Sequence, residues 1–214
     1  MLEALKLKKF QNLESITTPE EIGATLALES LRSLTLTDCN NLRSLPQHMH
    51  RLLPSLADLE IDGCPEIESF PQGGLPSKLE GLRIRNCSKL LAQHGHWDFE
   101  GLNSLKTLRI GDCDVVLDSF PAGSLPAASL TLLFLRNLSG LQSLNGSAFK
   151  KVTSLYKLWL SNCKELQYLP EQVLRPTFLS CLWIEECPIL ERRYRKEKGE
   201  DWDKISHIPQ ILLG

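Results

Sequence analysis

Short runs in which apolar and polar residues alternate recur along almost the whole chain. The first clear run is LRSLTLTDCNNLRSLP, residues 31–46, in which two leucines flank a threonine and a cysteine follows three residues later. Leucines at every second position predict a β-strand, because successive side chains of a strand point to opposite faces of a sheet. Residues 56–71, LADLEIDGCPEIESFP, repeat the same order, so the chain carries an internal repeat.

Eight copies of this run align along the chain at spacings of 23 to 29 residues. Their central apolar residues are Leu7, Leu36, Ile61, Ile84, Ile110, Leu135, Leu160 and Ile184. The order L-x-x-L-x-L-x-x-N/C-x-L, with a period of about 20 to 29 residues, is that of the leucine-rich repeat. We therefore predict an α/β solenoid, a leucine-rich repeat horseshoe of about eight repeats. Its concave side is a parallel β-sheet and its convex side is irregular or short-helical.

The repeats divide the chain into a predicted solenoid, residues 1–190, and a C-terminal cap, residues 191–214. The cap sequence has a charged front and an apolar finish, which suits a segment that covers the open edge of the last repeat. A helix start signal predicts a short convex helix over residues 17–28, and the less periodic residues 90–105 predict a longer convex loop. Since a repeat begins almost at once at Leu2, we expect a natural N-terminal neighbour.

Composition and charge narrow the class of protein further. The 214 residues carry a formal net charge of −2, which provides no global field to attract nucleic acid or an anionic membrane. No apolar stretch approaches the roughly 18 residues that a membrane span needs, and the N-terminus lacks the layout of a signal peptide. We therefore expect a cytoplasmic protein without a membrane span, monomeric in isolation.

Cysteines occupy one equivalent place, just after the strand, in six of the eight repeats. These are Cys39, Cys64, Cys87, Cys113, Cys163 and Cys187. A shared position with no neighbouring histidine predicts a compact buried residue whose S–H donates weakly to a carbonyl at the bend, rather than a nucleophile. No C-x-x-C pair is present, and His94 and His96 lack a third ligand at usable spacing. We predict no enzymatic activity, no metal and no cofactor.

The outward-facing residues of the strands predict where a partner would bind. The residue between the two strand leucines changes from charged to aromatic along the chain. Tryptophan and arginine are enriched in interface hot spots, which predicts a partner-binding surface on the concave sheet. Its residues are Arg83, Arg85, Arg109, Phe134, Arg136, Lys157, Trp159 and Trp183. Alternatively, the aromatic side chains pack on one another or beneath the tail. The arginines could also read phosphates, but without a wider basic stripe we expect no nucleic acid.

Copies that end in Cys-x-x-Leu-x-x-Leu/Phe-Pro resemble the repeats of plant intracellular immune receptors of the coiled-coil, nucleotide-binding class. The resemblance is carried by GCPEIESFPQGGLPSKLEGLRIRNCSKL, residues 63–90, and by the tail CPILERRYRKEKGEDWDKISHIPQI, residues 187–211. It implies a recognition module that contacts a pathogen effector, a host target or the receptor's own signalling domains. The chain lacks the coiled coil and the nucleotide-binding domain, so nucleotide binding is not implied for these residues.

Two other classes use similar repeats. The substrate-recognition repeats of a ubiquitin-ligase receptor also contain cysteines, but the Leu-Pro and Phe-Pro exits do not suit a helical convex side. An extracellular receptor would be expected to carry a signal peptide and paired capping cysteines, and this sequence shows neither. The ubiquitin-ligase receptor is therefore the alternative to an immune receptor.

Overall fold

A single parallel sheet organises the part of the chain that the computed structural model describes, residues 2–16, 28–99, 101–175 and 179–214. Within those ranges nine strands form this sheet. They are β1 (Ala4–Lys8), β2 (Ser33–Thr37), β3 (Asp58–Asp62), β4 (Gly81–Arg85), β5 (Thr107–Gly111), β7 (Leu132–Arg136), β9 (Lys157–Ser161), β10 (Cys181–Glu185) and β11 (Gln210–Leu213). The first eight contain the eight predicted L-x-L runs, so the predicted leucine-rich repeat solenoid is confirmed.

The strand leucines and isoleucines form the core that holds the repeats together. In strands β2, β3, β4, β5, β7, β9 and β10 the two residues of the L-x-L pair are buried, while the residues around them are mostly half-buried or exposed. Leu82 and Ile84 of β4, for example, are 1% and 0% exposed. Burying one leucine or isoleucine side chain contributes roughly 1.5–3 kcal/mol, so stacking the repeats supplies the main stabilisation.

Each of the eight predicted strands is followed directly by a residue in the left-handed backbone region. These residues are Lys9, Asp38, Gly63, Asn86, Asp112, Asn137, Asn162 and Glu186. The N–H of each of the first seven donates to a carbonyl of the next repeat, as in the 2.9 Å bond from Asn137 to Ser161, and the N–H of Glu186 donates to the Gly214 carbonyl of the tail. Glycine, asparagine and aspartate tolerate a positive φ best, and they fill six of the eight positions. The bend therefore extends the hydrogen-bonded ladder of the sheet by one bond per repeat.

The convex side consists of short helices and a second, smaller sheet. Its helices are α1 (Met49–Leu52), α2 (Ser88–Ala92), α3 (Gly146–Phe149) and a 3-10 turn at His94–His96. Strands β6 (Val116–Phe120) and β8 (Gly140–Leu144) pair in parallel, and the sequence did not predict them. The described part of residues 90–105 contains no strand, as expected. The helix predicted over 17–28 lies outside the described residues except for Leu28.

The C-terminal tail adds two helices and the ninth strand. Helices α4 (Pro188–Arg193) and α5 (Trp202–Ile205) lead into β11, which pairs in parallel with β10. The tail is anchored by Tyr194, which is fully buried and whose hydroxyl accepts a 3.0 Å hydrogen bond from the Leu169 N–H. The division of the chain at residue 190 remains a prediction, since α4 runs across it.

Candidate functional site

The concave sheet brings the predicted aromatic and basic residues into one row. Strand register pairs Arg83 with Arg109, Arg109 with Phe134, Phe134 with Trp159 and Trp159 with Trp183. Adjacent strands lie about 4.8 Å apart, so these side chains are direct neighbours. The residues that lie between the two strand leucines therefore form a row in the folded chain, in the order of the repeats.

Phe134, Trp159 and Trp183 form a continuous patch, here called the aromatic stripe. Ring centroids are 4.6 Å apart for Phe134 and Trp159 and 4.8 Å for Trp159 and Trp183, whose planes meet at 71°. The rings pack on one another, as the alternative interpretation expected, yet all three remain partly exposed. Strand β11 lies beside β10 in the sheet, so the tail extends the sheet at this end and does not lie over the stripe.

The stripe continues onto a residue that the sequence analysis missed. Leu212 of β11 is paired with Trp183 and is 45% exposed. The run Gln210–Leu213 contains three consecutive apolar residues, and this obscures the alternation that marks the other strands. The apolar part of the concave surface therefore spans four neighbouring strands, β7, β9, β10 and β11.

Polar groups frame the aromatic stripe on both sides. The Lys157 Nζ lies 2.9 Å from the centroid of the Trp183 ring and 4.9 Å from that of Trp159. The Trp159 indole N–H donates a 3.3 Å hydrogen bond to the Glu185 carboxylate. Lys157 thus makes cation–π contacts with two tryptophans, and Glu185 orients one of the rings.

Three of the four predicted arginines already have carboxylate partners on the sheet. Arg83 and Arg85 lie 3.2 and 3.3 Å from Glu60, and Arg85 lies 2.7 Å from Asp62. Arg136 is 3.8 Å from a carboxylate oxygen of Asp112. These partly exposed pairs neutralise much of the basic cluster and contribute little to stability.

Arg109 stands apart from the other arginines. It makes no ion pair with any residue in the described ranges, and burial, with the neighbouring charge of Arg83, lowers the pKa of Arg109. It borders a pocket of about 190 Å³ that Phe134 and Arg136 also line. A side chain at Gly111, on the floor of this pocket, would place its Cβ 2.8 Å from the Arg136 carbonyl oxygen, so the close backbone approach requires glycine.

The cysteines lie beneath the surface and away from this site. All seven are free and buried, and the Sγ of Cys87 donates to the Arg85 carbonyl two residues earlier at 3.0 Å. Burial raises the pKa of Cys64 to about 11 and that of Cys87 to about 12. The Cys64 and Cys87 thiols are therefore neutral at physiological pH. The predicted structural role of the six strand-exit cysteines is confirmed as far as burial and hydrogen bonding are concerned.

The described residues offer neither a metal-binding cluster nor a membrane-spanning helix. No group of three or more histidine, cysteine, aspartate or glutamate side chains there could hold a metal ion. Of the helices in the described ranges, none has the length and apolarity to cross a membrane.

The fold and the exposed concave surface define the class of protein, a leucine-rich repeat solenoid. The leucine-rich repeat domain of the type III effector XopL matches 98% of the chain, and 75% of that domain is covered, with a TM-score of 0.64 at 21% identity. This likeness shows the fold. No protein-family profile matches the chain.

Several sequence relatives of the chain are plant disease resistance proteins. The disease resistance relative At3g14460 of Arabidopsis thaliana is 30% identical over 177 residues, 71% of this chain. TMV resistance protein N of Nicotiana glutinosa is 28% identical over 166 residues, 64% of this chain. The chain spans only 12% and 14% of the lengths of these two relatives. It is thus homologous, over most of its length, to plant resistance proteins of the nucleotide-binding, leucine-rich repeat type.

Proposed function

We propose that the chain is the recognition module of a cytoplasmic plant immune receptor and binds a protein through its concave sheet. The bound protein is a pathogen effector, a host target or the receptor's own signalling domains. The observation that carries the proposal is the partly exposed aromatic stripe, continued by Leu212. Large apolar surfaces are costly to leave in water and mark interaction sites. The resistance-protein relatives favour this role over that of a ubiquitin-ligase receptor.

The proposed surface has an apolar half and a charged half. Trp159 and Trp183 supply broad, rigid contact area, which suits them as anchors. Arg109, the arginine without an ion pair in the described ranges, is the group to engage an acidic side chain of the partner. Arg83 and Arg85 would have to give up or share their ion pairs with Glu60 to bind a partner. They therefore contribute to the specificity of binding more than to its affinity. No step requires catalysis, and we propose that the module is not an enzyme.

Binding with and without the stripe tests this proposal. The isolated chain, immobilised, is used to enrich partners, and each recovered protein is then titrated in purified form by calorimetry. We expect Trp159→Ala/Trp183→Ala to weaken binding by about 2 kcal/mol or more, roughly 30-fold, because hot-spot aromatics contribute that much. Val116→Ala/Tyr168→Ala removes two exposed side chains outside the nine-stranded sheet and serves as the matched control.

The controls separate loss of binding from loss of folding. Each variant's urea midpoint is measured beside its affinity, and a stripe variant that has unfolded is replaced by Trp159→Leu. Equal affinity of the parent and the folded stripe variant for every confirmed partner would refute the proposed site.

A further inference from the structure

An ammonium group already occupies the corner between the two tryptophans of the concave sheet. The Lys157 Nζ is 2.9 Å from the Trp183 ring centroid and 4.9 Å from that of Trp159. The two ring planes meet at 71°, so they wall this corner from two directions. Tryptophan is the aromatic residue that binds a cation most strongly, and corners of this kind are used to bind ammonium ligands.

The surroundings show that this position depends on the rings. Strand register places Lys157 between Leu132 and Cys181, two apolar neighbours. Lys157 makes no ion pair with a carboxylate in the described part of the chain, although its side chain is long enough to reach solvent. Glu185, hydrogen-bonded to the Trp159 indole at 3.3 Å, adds negative charge next to the rings. The corner therefore favours a cation by ring quadrupole and by nearby charge.

We propose that the Trp159–Trp183 corner is a binding site for the ammonium group of a lysine, free or N-methylated, on the partner. Lys157 occupies it in the unbound chain as an internal stand-in and leaves when the partner binds. This inference rests on the proposed function and names the chemistry of the partner at that surface. Because the Lys157 ammonium group is at the end of a flexible side chain, it can leave the corner without any change in the sheet.

The row of strands also sets the spacing that the partner must present. Arg109 lies on β5, two strands from Trp159 and three from Trp183. At about 4.8 Å per strand, an acidic group on Arg109 and an ammonium in the corner are roughly 10–14 Å apart. The partner is therefore a protein segment with one acidic and one lysine side chain at that separation, and an apolar residue between them over Phe134.

Choline tests the corner without any partner, and the isostere in which carbon replaces its nitrogen is the neutral control. Binding is followed by tryptophan fluorescence in the parent chain, Lys157→Met and Lys164→Met, which removes an exposed lysine at a strand-exit bend. We expect Lys157→Met to bind choline about tenfold more tightly than the parent, since losing an internal cation–π competitor is worth about 1.4 kcal/mol. Lys164→Met should match the parent, and the neutral isostere should not bind.

The choline affinities of the parent chain and the variants decide whether the tryptophan corner binds a cation. Equal choline affinity in the parent and Lys157→Met, or equal affinity for choline and the isostere, would overturn the inference. Adding Trp183→Leu to Lys157→Met should abolish the signal, with Trp159→Leu as the second variant if that protein is unfolded by near-ultraviolet circular dichroism. The choline titration needs no protein partner, so it is independent of the test of the proposed function. If choline binds as expected but no partner depends on the aromatic stripe, the proposed function is refuted while the cation site itself stands.

Discussion

At the scale of single residues, the bend after each strand requires a positive φ, and two of the eight repeats place an unsuitable residue there, Lys9 and Glu186. Glu186 has φ 55°, and its equivalents Asn137 and Asn162 not only tolerate that conformation but also hydrogen-bond to each other, with Asn162 Nδ2 2.8 Å from Asn137 Oδ1. A residue other than glycine, asparagine or aspartate in this region costs roughly 1 kcal/mol.

We therefore expect Glu186→Asn to raise the free energy of unfolding by about 1 kcal/mol. Asparagine relieves the backbone penalty and places its amide within reach of Asn162, which would lengthen the side-chain ladder by one member. The measurement is the urea midpoint at constant m-value. Glu186→Gln is the matched control, because it removes the same charge but keeps the backbone penalty. A gain of equal size in Glu186→Gln would show that charge, rather than conformation, matters here.

The buried thiols should make the free energy of unfolding fall at alkaline pH. The ordinary pKa of a thiol is about 9, and burial raises that of Cys64 to about 11 and that of Cys87 to about 12. Below pH 9 both states hold the proton and the stabilisation is complete. As pH rises from 9 to about 11, the unfolded chain loses these protons while the folded chain keeps them, so the free energy of unfolding falls by up to about 1.4 kcal/mol per pH unit for each thiol.

The prediction is checked by urea unfolding at intervals from pH 7 to 11. Removing both thiols in Cys64→Ala/Cys87→Ala should lower stability at neutral pH but flatten the loss above pH 9. A pH profile of the same steepness in parent and variant would contradict the account, because other groups would then carry the dependence.

At the scale of elements, the helical tail depends on one acidic residue. Asp201 is 6% exposed and accepts a 2.7 Å contact from Lys204 and a second from the Arg193 guanidinium. These hydrogen bonds, that of Lys204 first, lower the pKa of Asp201 below its ordinary value. Their stabilisation is therefore present at neutral pH and is lost as pH falls below about 4.

We expect Asp201→Ala to lower the unfolding free energy by about 1 kcal/mol at pH 7, and by less at pH 3. Asp203→Ala, two residues along the same helical segment and exposed, is the control and should have no measurable effect. Circular dichroism during urea titration at both pH values provides the comparison. A loss in Asp201→Ala that is undiminished at pH 3 would mean that packing, not charge, is responsible.

The eight repeat strands of the concave sheet were predictable because their buried residues alternate, whereas β6 and β8 were not. In β6 the buried residues are Leu117 and Phe120, and in β8 they are Leu141 and Leu144, so each pair is three residues apart. That spacing does not carry the period of two on which strand prediction depends. The convex sheet is instead fixed by stacking of successive repeats, which a single run of sequence does not display.

The positions of the candidate site residues follow from the repeat spacing, but only some of their ion pairs do. Strand register places Glu60 beside Arg83, so this ion pair could be expected from the spacing of the repeats alone. The shared contact of Arg85 with Glu60 and Asp62 was not, because it depends on side-chain conformation across two columns. Likewise, only the folded geometry shows Lys157 over Trp183. The register of the strands follows from the pattern of the repeats, whereas the contacts between charged side chains depend on the rotamers that these side chains adopt.

At the scale of the whole molecule, charge and apolar surface are segregated along the sheet. Carboxylates lie on β3, arginines on β4, β5 and β7, and aromatic side chains on β7, β9 and β10. The near-zero net charge therefore conceals an asymmetric surface, and we expect a partner of the proposed concave site to bind it in a single orientation. This segregation also means that salt should weaken the charged half of a complex more than the apolar half.

The two ends of the solenoid differ, which predicts a gradient of local stability. Leu5 and Leu7 of β1 are only partly buried, because β1 pairs on one side alone, whereas Leu82 and Ile84 are at most 1% exposed. In a stacked array each repeat is stabilised by its neighbours, so an end repeat opens at lower free energy.

Native-state hydrogen exchange should therefore be about 100-fold faster for β1 amides than for β4 amides, since that ratio corresponds to roughly 2.7 kcal/mol and is within the value of two partly exposed leucines. The C-terminal end provides the internal control. There the buried ring of Tyr194 and the Asp201 contacts hold the tail against the last repeats, so β10 should exchange nearly as slowly as β4. Equal protection of β1 and β4 would mean that the array unfolds as one cooperative unit, and the end effect argued from burial would be wrong.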